Sequence, residues 1–280
     1  FTFTKDFDPG PDTVNFSSFG GNDAFIQKLD SSGNFKWAKH IGGLGDDRGV
    51  SITLDRSGNT YSIGCFDDNI QLDPVNGTHN YTSLGESDYY IIKMDVSGNI
   101  LWTKQIGGAK FDYAYSITSD ALNNIYITGM FQETVDFDPG QGALNFTAQG
   151  NDDIYIQKLN SSGELIWVKT MGDTSTLSWP ISTDRGTSIT SDEWGNIYTT
   201  GAFSYTADFD PSPGVVDLTS IGLADVFVLK YNQMFDISGS VVNALNSASI
   251  DSGNIQLLRL KQGHGADIIA IESLDSAGAY

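Results

Sequence analysis

The sequence has 280 residues with 15 basic and 35 acidic side chains, a net charge of −20 that argues against nucleic-acid binding through phosphates. An apolar fraction of 39% rules out a wholly disordered chain, and no apolar run approaches the roughly 18 residues of a membrane-spanning helix. With 31 Gly, 12% aromatics and 30 Asp against 5 Glu, the composition reads as a turn-rich β protein.

The chain opens at Phe1 without a Met or a basic-then-apolar leader, so any export signal is expected to lie outside it. Phe1 aligns with Phe66 and Phe131 and therefore reads as the last residue of a strand. Asp6-Phe7-Asp8-Pro9-Gly10 follows and recurs as Asp136-Phe137-Asp138-Pro139-Gly140 and Asp208-Phe209-Asp210-Pro211, while Gln71-Leu72-Asp73-Pro74 keeps only one acid. In extended backbone the two Asp of each copy share one face and the Phe points to the other. Carboxylates about 7 Å apart must be solvated, bonded to backbone amides or bridged by a cation. One reading is a turn anchored by Phe. The other is Ca2+ held by Asp6, Asp8, Asp136, Asp138, Asp208 and Asp210, although the six to eight oxygens calcium takes exceed what one copy supplies.

A repeat then becomes plain. The segment Asp23–Leu29 recurs at Asp88–Met94, Asp153–Leu159 and Asp225–Tyr231, in steps of 65, 65 and 72 residues. Trp37, Trp102 and Trp167 keep the 65-residue step, and Asp47, Asp112 and Asp184 follow the steps of 65 and 72. Within the first unit, Ala24–Asp30 and Asn34–Ile41 are predicted strands around Ser31-Ser32-Gly33. Gly49–Asp55 and Asn59–Phe66 are predicted around Arg56-Ser57-Gly58. Glycine in a three-residue loop suits a type I turn closed by a left-handed residue. Cys65 lies inside a predicted strand and reads as a buried structural thiol. No segment shows helical periodicity, and repeated four-stranded units signal a β-propeller.

The stretch Trp37–Gly64 follows W-x-K-x-x-G-G-x-x-x-D-x-G-x-x-I-x-x-D-x-x-G-N-x-Y-x-x-G, and Trp102–Gly129 follows it with Ala114 and Asn123 in place of glycines. It resembles the bacterial β-propeller repeat family called SBBP. The resemblance covers about residues 1–232 and implies a secreted or surface-exposed propeller with no common catalytic residues. The third copy, Trp167–Gly201, carries an insertion between Gly172 and Asp184 that contains Trp179 and Pro180.

Acids that recur in every unit read as turn or cap residues, and the three recurring Trp as core packing between blades. Departures from the repeat are better candidates for binding. Trp179, Trp194 in a hairpin turn where other units have Ser57 or Leu122, and Tyr205 are the aromatic candidates for stacking on a sugar. His40, His79 and His264 share no ligand spacing and read as solvated surface. No nucleophile elbow, zinc helix or phosphate loop is present, so no enzyme activity is expected.

After Gln233 the composition changes. Ile237-Ser238-Gly239-Ser240-Val241, Gly253–Leu260 and Ser273–Tyr280 resemble the start of a carboxypeptidase-regulatory-like β-sandwich, usually a spacer. The expected architecture is all-β: propeller repeats over 1–234, with units 23–87, 88–152 and 153–224 and partial units at both ends, then a partial sandwich over 235–280. About three and a half units of 65–72 residues are present, so the sequence reads as part of a longer chain or assembly. The combination resembles large surface proteins of gliding, type IX-secreting bacteria. It implies an extracellular scaffold for binding or adhesion, to a glycan or a surface protein. The alternatives are a polysaccharide-active enzyme whose site lies elsewhere and a purely structural stalk.

Overall fold

One turn chemistry sets the strand pairs. The Oδ1 of Asp55 accepts the amides of Ser57 and Asn59, both at 2.9 Å. Asp30, Asp95, Asp120, Asn160 and Asp192 cap their own turns in the same way. Each turn then needs a left-handed residue: Gly58 has φ +78°, and Asn123, where glycine is missing, has φ +63°. Asn tolerates that conformation better than most side chains, which explains the substitution in the second repeat.

The computed structural model describes residues 1–73, 78–174, 184–210, 215–231, 255–260 and 268–273, and no helix occurs among them. The chain divides into two units, Phe1–Gln233 and Met234–Tyr280. In chain order the first unit holds β1 (Thr4–Asp6), β2 (Asn15–Ser17), β3 (Ala24–Leu29), β4 (Phe35–Gly43), β5 (Asp47–Leu54), β6 (Thr60–Phe66), β7 (Asn69–Asp73) and β8 (Thr78–Thr82). It continues with β9 (Asp88–Met94), β10 (Ile100–Gly108), β11 (Tyr113–Ser119), β12 (Ile125–Phe131), β13 (Thr134–Asp136) and β14 (Asn145–Thr147). Then come β15 (Asp153–Leu159), β16 (Leu165–Met171), β17 (Arg185–Ser191), β18 (Ile197–Phe203), β19 (Thr206–Asp208), β20 (Asp217–Thr219) and β21 (Asp225–Tyr231).

These strands form successive antiparallel blades. The first described sheet contains β3 and β4. The second runs β5-β6-β9-β10, the third β11-β12-β15-β16, and the fourth β17-β18-β21. A blade is therefore out of phase with the sequence unit, because its two inner strands precede the segment that begins at Asp88 or Asp153. Neighbouring blades meet along the inner strands β5, β11 and β17. The Ser119 hydroxyl donates to Leu54 O at 2.7 Å, and the Ser191 hydroxyl repeats the contact to Ser119 O at 2.8 Å.

The short hairpins are an addition to the expected four strands per unit. Those formed by β7–β8 and β13–β14 leave their own blade between the second and third strands and dock on the outer strand of the preceding blade. β7 pairs with β4 through Gly42↔Gln71 and Gly43↔Ile70, and β13 pairs with β10 through Gly107↔Asp136 and Gly108↔Val135. The close approach explains the second glycine of the motif: a Cβ at Gly43 would lie 1.5 Å from Asn69 O.

The core is the layer between blades. Ala24, Ile26 and Ile41 of the first sheet pack with Phe66, Tyr90 and Ile92 of the second. Tyr61, Ile63, Tyr89 and Ile91 pack with Ala114, Ile117, Ile127 and Tyr155 of the third. The half-buried Trp102 joins this layer, and its indole N–H donates to Ser161 O of the next blade at 3.2 Å. Cys65 is buried, and burial pushes its thiol up to about 12. The second unit contains the antiparallel pair β22 (Ile255–Leu260) and β23 (Ile268–Ser273), and the remainder of the expected sandwich lies outside the described residues.

Two glycines separate the causes of glycine dependence. At Gly129 a Cβ would meet Tyr113 O at 1.8 Å and the Tyr155 ring at 2.9 Å, whereas at Gly33, φ +81°, nothing lies within 4 Å. Gly129→Ala is expected to cost about 3 kcal/mol by overpacking, and Gly33→Ala only about 1 kcal/mol from the left-handed backbone. Denaturant unfolding of both variants checks the order.

Candidate functional site

The recurring acids occupy the junctions between blades. Asp23, Asp88 and Asp153 begin the third strand of their blades and point at the first glycine of the motif: a Cβ at Gly42, Gly107 or Gly172 would lie 2.2–2.4 Å from a carboxylate atom. Asp47, Asp112 and Asp184 stand beside them and cap the chain crossing to the next blade. Asp47 accepts Gly43 N–H at 2.6 Å, Asp112 accepts Gly108 N–H at 2.7 Å, and Asp184 accepts Asp173 N–H at 2.8 Å. All six are almost wholly buried. One oxygen each of Asp23, Asp47 and Asp88 is buried without a hydrogen-bond partner. Burial pushes Asp47, Asp112 and Asp184 up to about 7 and Asp153 up to about 6, and neighbouring acids add to the rise. A carboxyl at such a site takes a proton near neutrality chiefly because burial penalises its charge, and the acid beside it adds to the effect.

His40 corrects an expectation. It is buried rather than solvated, pairs through Nε2 with Asp23, and stacks on Phe19 with ring centroids 4.3 Å apart. Gln105 takes the same place in the next unit and donates to Asp88 Oδ2 at 2.5 Å. The two residues do the same structural work. His79 is exposed and its Nδ1 lies 3.1 Å from the Thr103 hydroxyl. His264 lies outside the described residues.

The paired acids of the Asp-Phe-Asp-Pro motif point their oxygens at amides. Asp6 Oδ1 accepts Asp8 N–H at 3.0 Å and Val14 N–H at 2.9 Å. Asp136 repeats this with Asp138 and Leu144, and Asp208 with Asp210 and Val216. Asp8 and Asp138 accept the amides of Gly10 and Gly140 at 2.7 and 2.9 Å. Between the acids, Phe137 is fully buried against Phe131 and Tyr155, with centroids 5.2 and 5.1 Å away. Phe209 packs likewise on Phe203 and Phe227. Among the described residues no three His, Cys, Asp or Glu side chains are placed to hold a metal ion. The geometry is that of a capped turn anchored by an aromatic ring.

Two of the aromatic candidates, Trp194 and Tyr205, are not brought together. Trp194 sits in the turn between β17 and β18, 41% exposed, with Asp192 Oδ1 accepting its amide at 3.0 Å. Tyr205 is 40% exposed with φ +51° and follows the far end of β18. A seven-residue strand separates them, roughly 23 Å by strand rise. Trp179 and Pro180 lie outside the described residues. Sequence position alone could not show that Trp194 and Tyr205 occupy opposite ends of one blade.

Blades repeated at sequence steps of 65 to 72 residues, joined by the same inter-blade bonds, define a β-propeller repeat protein. Residues 101–130, running from β10 into the inner hairpin β11–β12, match the SBBP family, described as a β-propeller repeat. The chain is 25% identical over 249 residues to an uncharacterized WD repeat-containing protein of Acanthamoeba polyphaga mimivirus, covering 78% of this chain and 17% of that protein. It is 23% identical over 144 residues to the regulatory protein FlaEY of Caulobacter vibrioides, covering 51% of this chain and 15% of that protein. The chain thus spans less than a fifth of the curated relatives it matches. A crystal structure of a protein of unknown function from Bacteroides caccae covers 76% of this chain and 97% of its own, at 10% identity and a TM-score of 0.24, too loose a likeness to carry an argument.

Two measurements follow from the acids. The junction carboxyls have folded pKa values raised above the ordinary 3.8 of an Asp side chain, so their stabilisation is full below pH about 4 and is lost as pH rises to about 7. The turn acids Asp30 and Asp95 are pulled down, first by the Asn34 amide and the Asn99 side chain, so their stabilisation is present above pH about 4 and lost below it. The melting temperature is expected to be higher at pH 5 than at pH 8 and to fall again below about pH 3; a flat profile from 5 to 8 contradicts the buried pairs. Chelation is expected to leave the melting temperature unchanged, whereas Asp136→Ala, which strands two amides, lowers stability by about 2 kcal/mol. A drop on chelation, restored by added calcium, would support Ca2+ ligation by these acids instead.

Proposed function

We propose that this chain is a non-catalytic scaffold that works outside the cell, at a bacterial surface, and holds a glycan or a surface protein on its turns. The observation that carries the reading is Trp194. It stands in a turn whose backbone is fixed by Asp192, on the same frame that elsewhere presents Ser57 and Leu122. An indole held on a fixed turn loses little freedom when it meets a sugar face, and aromatic contacts of this kind contribute about 1 kcal/mol beyond their buried area. Tyr205 belongs to the other end of the blade and, with Trp179 as read from the sequence, is a second candidate for stacking on a sugar. The tail from Met234 is read as a spacer. Acids that recur blade after blade serve the frame, which leaves the departures from the repeat to do the binding.

A glycan array probed with the protein, with and without calcium, tests this directly. Trp194→Ala is expected to weaken binding to the strongest glycan by about tenfold while leaving the melting temperature within about 1 °C. No array signal, or binding that Trp194→Ala leaves unchanged, would remove Trp194 from the function.

A further inference from the structure

The junction between the second and third blades departs from the one before it in three neighbouring residues. Where Gly21, Gly45 and Asp46 stand one repeat earlier, this junction has Glu86, Lys110 and Phe111. At the earlier junction the loops touch. A Cβ at Gly45 would lie 2.3 Å from Asp67 O, and one at Gly21 would lie 2.4 Å from Asp46 Oδ1. That same oxygen accepts the backbone and side-chain nitrogens of Asn22 at 2.8 and 3.0 Å. Side chains in place of both glycines require the loops to stand apart. Glu86 and Lys110 reach into that space as an ion pair, with Oε1 2.9 Å from Nζ. The result is a cavity of about 350 Å³ walled by Glu86, Lys110, Phe111, Gln132, Glu133 and Asn151.

The walls are suited to hydroxyl groups. The buried Asp152 accepts Gln132 Nε2 and Asn151 Nδ2, both at 2.6 Å, and so fixes both amides. Their side-chain carbonyl oxygens accept no hydrogen bond among the described residues, and neither does the exposed Glu133 carboxylate. Lys110 gives one hydrogen to Glu86 and keeps two more to donate. The half-buried Phe111 stacks on Tyr113, with centroids 5.9 Å apart, and its ring forms the apolar wall. An anion would meet two carboxylates here, and a wholly apolar ligand would leave the fixed acceptors unpaired. Sugar hydroxyls both donate and accept, while the C–H face of a sugar ring packs on an aromatic ring. We propose that this cavity binds one neutral pyranose unit of a glycan. Gln132, Asn151 and Glu133 accept from its hydroxyls, Lys110 donates to one, and Phe111 lies against its apolar face. The volume falls at the small end of the roughly 300–1,000 Å³ range of ligand pockets. The proposal rests on the glycan reading above but not on Trp194, which stands in the fourth blade at the other end of the strands. Glu133 is instead the counterpart of Tyr205, with φ +53° against +51°.

Saturation-transfer NMR on the whole chain tests this, with the methyl glycosides of glucose, galactose, mannose and N-acetylglucosamine as probes and glucosamine as a cationic control. Transfer to at least one neutral glycoside is expected, and Phe111→Ala is expected to weaken its binding by about tenfold or more. A triple variant, Glu86→Gly with Lys110→Gly and Phe111→Asp, restores residues the earlier junction already accommodates. It is expected to keep the parent's circular dichroism and to lose the transfer. Transfer to no neutral glycoside overturns the proposal, as does transfer to glucosamine alone or transfer that the triple variant leaves unchanged. Trp194→Ala is expected to leave the transfer intact. Loss of transfer in Trp194→Ala would put the sugar on that turn and overturn the cavity as its site. A failed glycan-array test of Trp194 leaves this readout unaffected, so the two readings fail separately.

Discussion

The structure depends on a buried carboxyl set against a glycine at each passage from one blade to the next. Asp23, Asp88 and Asp153 fill the space that a side chain at Gly42, Gly107 or Gly172 would occupy. From there Asp23, Asp88 and Asp153 accept loop amides such as Phe19 at 2.9 Å, Leu84 at 3.0 Å and Gln149 at 3.0 Å. The partner acids Asp47, Asp112 and Asp184 tie the crossing chain from the other side. A buried amide left without an acceptor costs more than its bond returns, so these acids are needed although burial opposes their charge. The second glycine of the motif serves another purpose, admitting the short hairpin of the next blade. Where Asp173 replaces that glycine, the pairing shrinks to the single bridge Gly172↔Asp208.

That constraint gives the motif its physical content. Tyr61 and Tyr126 lie between a capped turn and a lysine: Asp120 Oδ2 accepts the Tyr126 hydroxyl at 3.0 Å, and Lys158 Nζ sits 5.0 Å above the ring. Lys28 and Lys93 reach across to Val96 O and Ser161 O of the following blade at 2.7 and 2.8 Å. Aromatic burial between blades contributes the larger share of stability, and the polar contacts decide register and spacing. A frame of this kind leaves turn positions free to vary, because the Asp cap and the left-handed residue fix the backbone whatever side chain stands between them. Trp194 uses that freedom.

The hairpin turns are legible from Asp-x-x-Gly-Asn because cap and left-handed glycine act within five residues, and the strands around them form close to their predicted bounds. The Asp-Phe-Asp-Pro copies are legible as capped turns for the same local reason. The short hairpins they close are not, since strands of three residues such as Thr134–Asp136 show no alternation, and the docking of β7 and β13 on another blade is set by that blade's glycines. His40 reads as surface in the sequence and is buried in the fold. Nothing beside it in sequence announces Phe16, Phe19 and Asp23, which reach it from another strand and its flanking loops.

The sequence by itself determined the repeat, its step, the turn positions and the all-β character, because each follows from spacing and from chemistry confined to neighbouring residues. Tertiary structure alone decided which strands share a blade, why the two glycines are adjacent, and which acids lie buried in pairs. It also set Trp194 and Tyr205 at opposite ends of β18 and opened the cavity beside Phe111. These outcomes arise where a residue of one repeat meets a residue of the next, about 65 positions away, and burial, unlike a turn, is a property of the neighbour as much as of the residue itself.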